Sequence, residues 1–152
     1  MSDFRAALQA GMSVAKTAVF NKNEINSVIA EIEEQIIEFS HNKATFGLGT
    51  FNRKRSENPM DAFVSVLAPH PVETYEALAV WNSEGKSPIQ LAEMSISENG
   101  YPCKITYDGN DVYCNNKEEL IFELSALLSS GKTGKAILEK MEEYDKKNNP
   151  EE

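Results

Sequence analysis

Few side chains in this sequence are equipped for chemistry: two histidines, His41 and His70, and two cysteines, Cys103 and Cys114. A soft-metal site could be assembled from these four, but none of them has the short ligand spacing of a zinc finger or ribbon. Both cysteines also fall on the apolar side of an alternating segment, where small inert thiols belong. His70 stands between Pro69 and Pro71, with Glu73 and Trp81 further on. An acid–base or small-ligand site could be built there, yet no nucleophile elbow of the Gly-x-Ser-x-Gly kind accompanies it. Gly131-Lys132-Thr133 copies the end of a phosphate-binding loop. The full motif requires a glycine five positions earlier and a strand before it, and here Ala126 and a helical pattern stand in those places. The sequence therefore assigns no catalytic residue, no metal ligand and no cofactor.

Binding is better supported than catalysis. The 152 residues carry a net charge of −9, and that charge is uneven. Residues 56–100 hold seven acids against Lys86 alone, whereas residues 41–55 hold no acid and four bases: Lys43, Arg53, Lys54 and Arg55. An acidic surface repels nucleic acid and anionic lipid and speeds encounter with basic proteins. Glu73, Glu76 and Glu84 are the carboxylates expected to meet such a partner. Leu78, Val80, Ile89 and Leu91 form an apolar set that must be covered by the chain's own helices or by another molecule. The alternative site is Arg53, Lys54 and Arg55, a small basic cluster suited to a phosphate or an acidic partner. Three bases make a small footprint for a dedicated nucleic-acid binder, so direct nucleic-acid binding is disfavoured.

These residues need a scaffold, and the segment Thr74–Ile96 sets its register. Ala92, Met94 and Ile96 alternate with Glu93, Ser95 and Ser97, the period of a half-buried strand. Asn99-Gly100 follows and predicts a tight hairpin. That turn sets Ile96 opposite Cys103, Met94 opposite Ile105, Ser95 opposite Lys104 and Glu93 opposite Thr106, apolar with apolar and polar with polar. A four-residue turn at Glu84–Ser87 would pair Thr74–Ser83 with Pro88–Ser97, putting Tyr75, Ala77, Ala79 and Trp81 on the Met94 face. If Asp108-Gly109 is a two-residue turn, Cys103 and Cys114 are directly opposed; if Gly109-Asn110 is the turn, they are only diagonal neighbours.

Strands are also expected at Ala44–Asn52 and Asp61–Ala68. Residues 2–40 read as helix: Phe4, Leu8, Gly11, Ala15, Ala18, Lys22, Ile25, Ile29, Ile32, Ile36 and Phe39 recur at steps of four and three. One reading is a continuous helix whose seam pairs with another subunit; the favoured one is a break at Asn21-Lys22-Asn23, giving helices over 2–20 and 24–40, the second opened by an Asn cap. Asn116 and Glu119 form a capping box that opens a helix over 116–130, and a last helix covers 134–147.

The expectation is an α+β fold. One domain spans 1–147, an antiparallel meander of five or six strands with N-terminal and C-terminal helices packed on it, and a charged tail frays over 148–152. No secretory leader and no membrane span is recognised, so a cytoplasmic location is expected. The function read from these features is a non-enzymatic, acidic binding protein, such as an inhibitor, an immunity-type protein or a mimic of nucleic-acid charge, with a basic protein partner. The alternative is a homodimeric chaperone or adaptor, similar in size and acidity to bacterial secretion chaperones. A second alternative is a small-ligand protein or enzyme with a site near His70.

Overall fold

The computed structural model describes residues 2–54 and 72–148. The elements run α1 (Arg5–Phe39), β1 (Ala44–Lys54), β2 (Val72–Asn82), β3 (Ile89–Ser97), β4 (Gly100–Tyr107), β5 (Asn110–Cys114), α2 (Lys117–Leu128) and α3 (Gly131–Asn148). The strands form one antiparallel sheet in the order β1-β2-β3-β4-β5. This is the expected α+β meander, with an N-terminal helix and two C-terminal helices packed on it. The strand expected at Asp61–Ala68 lies outside the described residues. Among the described residues, no helix is long and apolar enough to cross a membrane.

The expected break near Asn21 does not occur. A single helix of 35 residues replaces the two over 2–20 and 24–40. The β3–β4 hairpin supplies the reason. Asn21 Nδ2 donates to the Asn99 carbonyl at 3.0 Å, and the Tyr101 hydroxyl donates to Glu24 Oε1 at 2.8 Å. The hairpin tip thus holds α1 on both sides of Lys22-Asn23 and carries the helix across the expected break. The contact is close: a Cβ added at Gly100 would stand 2.5 Å from Asn21 Cβ. Helix α1 ends at Ser40, after which His41 and Asn42 take positive φ (56° and 64°) and turn the chain into β1.

One sheet face carries the core. Phe46, Leu78, Val80, Met94, Cys103, Ile105 and Cys114 are buried beneath Ile25, Val28, Ile29 and Ile36 of α1 and Leu120, Leu124 and Leu127 of α2. Helix α3 adds Ala136 and the stem of Lys140, whose ammonium reaches Glu143 Oε2 at 3.2 Å. The expected N-cap at α2 is formed, with the return bond of the capping box displaced by one residue. Asn116 Oδ1 accepts from the Glu119 N–H at 2.9 Å, while the Glu119 carboxylate reaches back to the Asn115 N–H.

Register agrees with expectation on one side of β3 and departs from it on the other. Glu93–Thr106, Met94–Ile105, Ser95–Lys104 and Ile96–Cys103 are paired as anticipated. The turn residues are Glu98 and Asn99, however. Ser97 pairs with Gly100, whose φ of 88° suits a bulge, and the ladder then skips Tyr101 and Pro102. Between β2 and β3 the expected faces are corrected. The loop is longer because Asn82 Oδ1 accepts from the N–H groups of Glu84 and Lys86. The ladder then shifts by one residue, from Ala79–Gln90 to Leu78–Ala92, leaving Leu91 as the extra residue. That bulge brings Leu78 and Val80 onto the Met94 face and sends Tyr75, Ala77, Ala79 and Trp81 to the opposite one.

Candidate binding cleft between the second and third strands

The second sheet face bears an aromatic row. Trp81 lies across Gly47 and Gly49 of β1, where the missing Cβ atoms make room; a Cβ at Gly49 would stand 2.7 Å from Trp81 Cζ2. Phe51 stacks on Trp81 with ring centroids 6.3 Å apart and meets Tyr75 at 6.0 Å. Arg53 closes the row, its guanidinium 4.0 Å from the Tyr75 ring centroid and 3.1 Å from Glu93 Oε2. The Tyr75 hydroxyl donates to Gln90 Oε1 at 2.9 Å, which fixes the ring. The Glu93 hydrogen bond raises the Arg53 pKa above its ordinary value, adding to a charge that arginine keeps in any case.

At the end of this row the sheet forks. Pairing of β2 with β3 stops at Ala77–Glu93, although β2 continues with β1 to Val72 and β3 continues with β4 to Ser97. Residues 72–76 and 94–97 therefore diverge and leave a cleft of about 530 Å³ between them. Its lining includes Glu73, Glu76 and Glu93 against Arg53 and Lys104, with Tyr75, Thr74, Ser95 and Thr106 between the charges. Two strand edges facing one gap are suited to main-chain hydrogen bonding with an extended segment, and the side chains around them set its chemistry. Among the described residues, the lining holds no histidine and no cysteine.

The structure separates the residues that the sequence grouped as one acidic site. Glu73 and Glu76 line the cleft and are exposed. Glu84 sits in the β2–β3 turn at the far end of the same strand, ion-paired with Lys147. Leu78, Val80 and Leu91 are fully buried under the helices and Ile89 is half-buried at the core margin, so the chain's own helices cover that set. Of the basic cluster, Arg53 belongs to the cleft, Lys54 ends β1, and Arg55 lies outside the described residues, as does His70. The Gly131-Lys132-Thr133 run opens α3, where the Thr133 hydroxyl donates to the Leu127 carbonyl at 2.8 Å and closes the end of α2. Among the described residues, no group of three or more His, Cys, Asp or Glu side chains could hold a metal ion.

Nothing in the alternation of residues signals the fork, which opens just past the Leu91 bulge. The one available signal was the pair of glycines, Gly47 and Gly49, in the interior of β1, which marks the close approach that the Trp81 ring makes. No known protein family, curated protein or solved structure matches the chain.

Proposed function

We propose that this is a non-enzymatic binding protein that takes an extended, basic segment of a partner protein into the cleft between β2 and β3. The fork carries the reading: two strand edges face one gap, and carboxylates from both strands line it. Arg53 displays the chemistry within the chain itself, since its guanidinium rests on Tyr75 and against Glu93 as a partner's arginine would. A cytoplasmic setting belongs to the same proposal and rests on a chain with only two cysteines, too few for a disulfide framework.

The test uses an unstructured peptide in which arginine alternates with apolar residues, with its glutamate-substituted counterpart as control. The chain has one tryptophan, Trp81, so its fluorescence reports on the aromatic row directly. The arginine peptide should perturb that fluorescence and the glutamate peptide should not. Glu73→Lys combined with Glu76→Lys should weaken binding several-fold, since each exposed pair contributes about 0–1 kcal/mol. Glu84→Lys, at the far end of β2, should leave binding unchanged. Arg53→Ala should tighten binding by freeing Tyr75 and Glu93. Loss of binding in Arg53→Ala alongside indifference to the double reversal would overturn the proposal in favour of an acidic or phosphate-bearing ligand.

A further inference from the structure

Beyond the point where the hairpin tip grips Asn21, α1 continues as an arm. Every residue from Asp3 to Phe20 is exposed except Ala18, which is half-buried. Phe4, Leu8, Met12 and Val19 lie 59–68% exposed along one stripe of this arm. The stripe is not an overrun of the core-facing side. A seven-residue repeat drifts about 20° per heptad on a straight helix, so a seam that faces the sheet at Ile29 and Ile36 has swung off it by Leu8. An arm of about 16 residues is also marginal as an isolated helix in water. Its apolar stripe calls for a specific occupant.

We propose that the occupant is a second copy of the same arm, packed antiparallel about a twofold axis near Gly11 and Met12. Size complementarity sets the register. Antiparallel overlap centred there places Phe4 on the partner's Val19, Leu8 on the partner's Ala15 and Met12 on the partner's Gly11. Each contact is matched by its symmetry mate, as an isologous interface demands. Gly11 supplies an independent observation. Glycine weakens a helix interior, and nothing among the described residues requires it, because a Cβ at this position would meet none of their atoms within 4 Å. A close-packed neighbouring helix does require it. Charge favours the same orientation: parallel arms would stack Arg5, Lys16 and Lys22 on their own copies, whereas antiparallel arms bring Lys22 towards the partner's Asp3.

The overlap of residues 4–19 is about 24 Å long. A single helix–helix contact of that length falls below the roughly 1,600 Å² of a standard interface. The dimer is therefore reversible, with a dissociation constant on the order of micromolar.

Sedimentation of the full chain from about one to several hundred micromolar should show a monomer–dimer equilibrium. Gly11→Leu should raise the helicity of the arm yet abolish the dimer, with circular dichroism confirming that the domain is folded. Cross-linking then fixes the orientation. Phe4→Cys alone should not form a disulfide with its own copy, but an equimolar mixture of Phe4→Cys and Val19→Cys should. A monomer at all concentrations, a dimer unaffected by Gly11→Leu, or efficient self-linking of Phe4→Cys would each overturn the proposal. Binding of the monomer to vesicles of anionic phospholipid, with no self-association, would assign the arm to a lipid surface instead.

Discussion

Cys103 and Cys114 face each other across β4 and β5 in a directly opposed pair, both fully buried. Burial pushes both thiols up, and Cys114, which also faces Cys103, rises to about 12. Thiolate, the reactive form, is therefore scarce in the folded chain. The same shift makes stability depend on alkaline pH. Below the ordinary thiol range, near 8.5, both states keep the proton and pH has no effect through these groups. Above it the unfolded chain releases protons that the folded chain retains, so stability falls as pH climbs from about 9 towards 12. Burial, with a hydrogen bond to Glu24, raises the Tyr101 phenol and adds to the decline in the same sense. Melting temperatures between pH 8 and 11 should trace this loss, Cys114→Ala should flatten it, and a thiol reagent should label wild type only after unfolding. Rapid labelling of the native chain would refute the assignment. The sequence left this pair open between an Asp108-Gly109 turn, which opposes the cysteines, and a Gly109-Asn110 turn, which does not; Asp108 and Gly109 both adopt positive φ, and the first register is the one formed. Arg53 was legible as a base but not as a neighbour of Tyr75 and Glu93, because β1 and β3 are brought together only through the intervening strand.

Among the elements, the β3–β4 hairpin acts as a clamp on α1, and its tip is where helix continuity is decided. Gly100 combines a φ of 88° with a Cβ direction aimed at Asn21, so Gly100→Ala suffers both backbone strain and a clash with a helix flank. The expected cost is about 2 kcal/mol, read as a lower denaturation midpoint with an unchanged slope. Gly109→Ala makes the control, having a positive φ but open space around its Cβ, and should cost less. Equal costs would mean that strain alone matters and the clamp does not. The helix pattern of residues 24–40 was legible in its Ile25, Ile29, Ile32 and Ile36 repeat. Its continuity with residues 5–20 was left undecided by the sequence: the seam runs through, but the asparagines of Asn21-Lys22-Asn23 favour a break, and the contacts from Asn99 and Tyr101 favour the continuous helix. The β2–β3 faces were illegible for a related reason: one bulged residue, Leu91, inverts which side of β2 is buried, and alternation cannot reveal a bulge when both sides of the strand are apolar.

Across the whole molecule, charge is divided between arm and body. Residues 1–22 carry Asp3 against Arg5, Lys16 and Lys22, a net +2, so the remaining residues carry −11 of the total −9. The two proposed contacts join these parts differently and must respond to salt in opposite directions. A basic segment entering the cleft meets opposite charge, and screening at higher ionic strength should slow its association and raise its dissociation constant. Two arms pairing through apolar side chains bring together like-charged arms, with like-charged bodies at opposite ends of the overlap. At 0.01 M ionic strength the screening length of about 30 Å exceeds the roughly 28 Å between the two Asn21 positions along the paired arms. Repulsion is then felt across the dimer. At 0.15 M the screening length is about 8 Å, and most of that repulsion is lost. Raising salt from 0.01 to 0.15 M should therefore strengthen dimerisation while it weakens peptide binding. Sedimentation and Trp81 fluorescence on the same samples read the two equilibria separately. If both weaken together, charge rather than apolar packing holds the dimer, and the basic arm of one copy would be docking on the acidic body of the other.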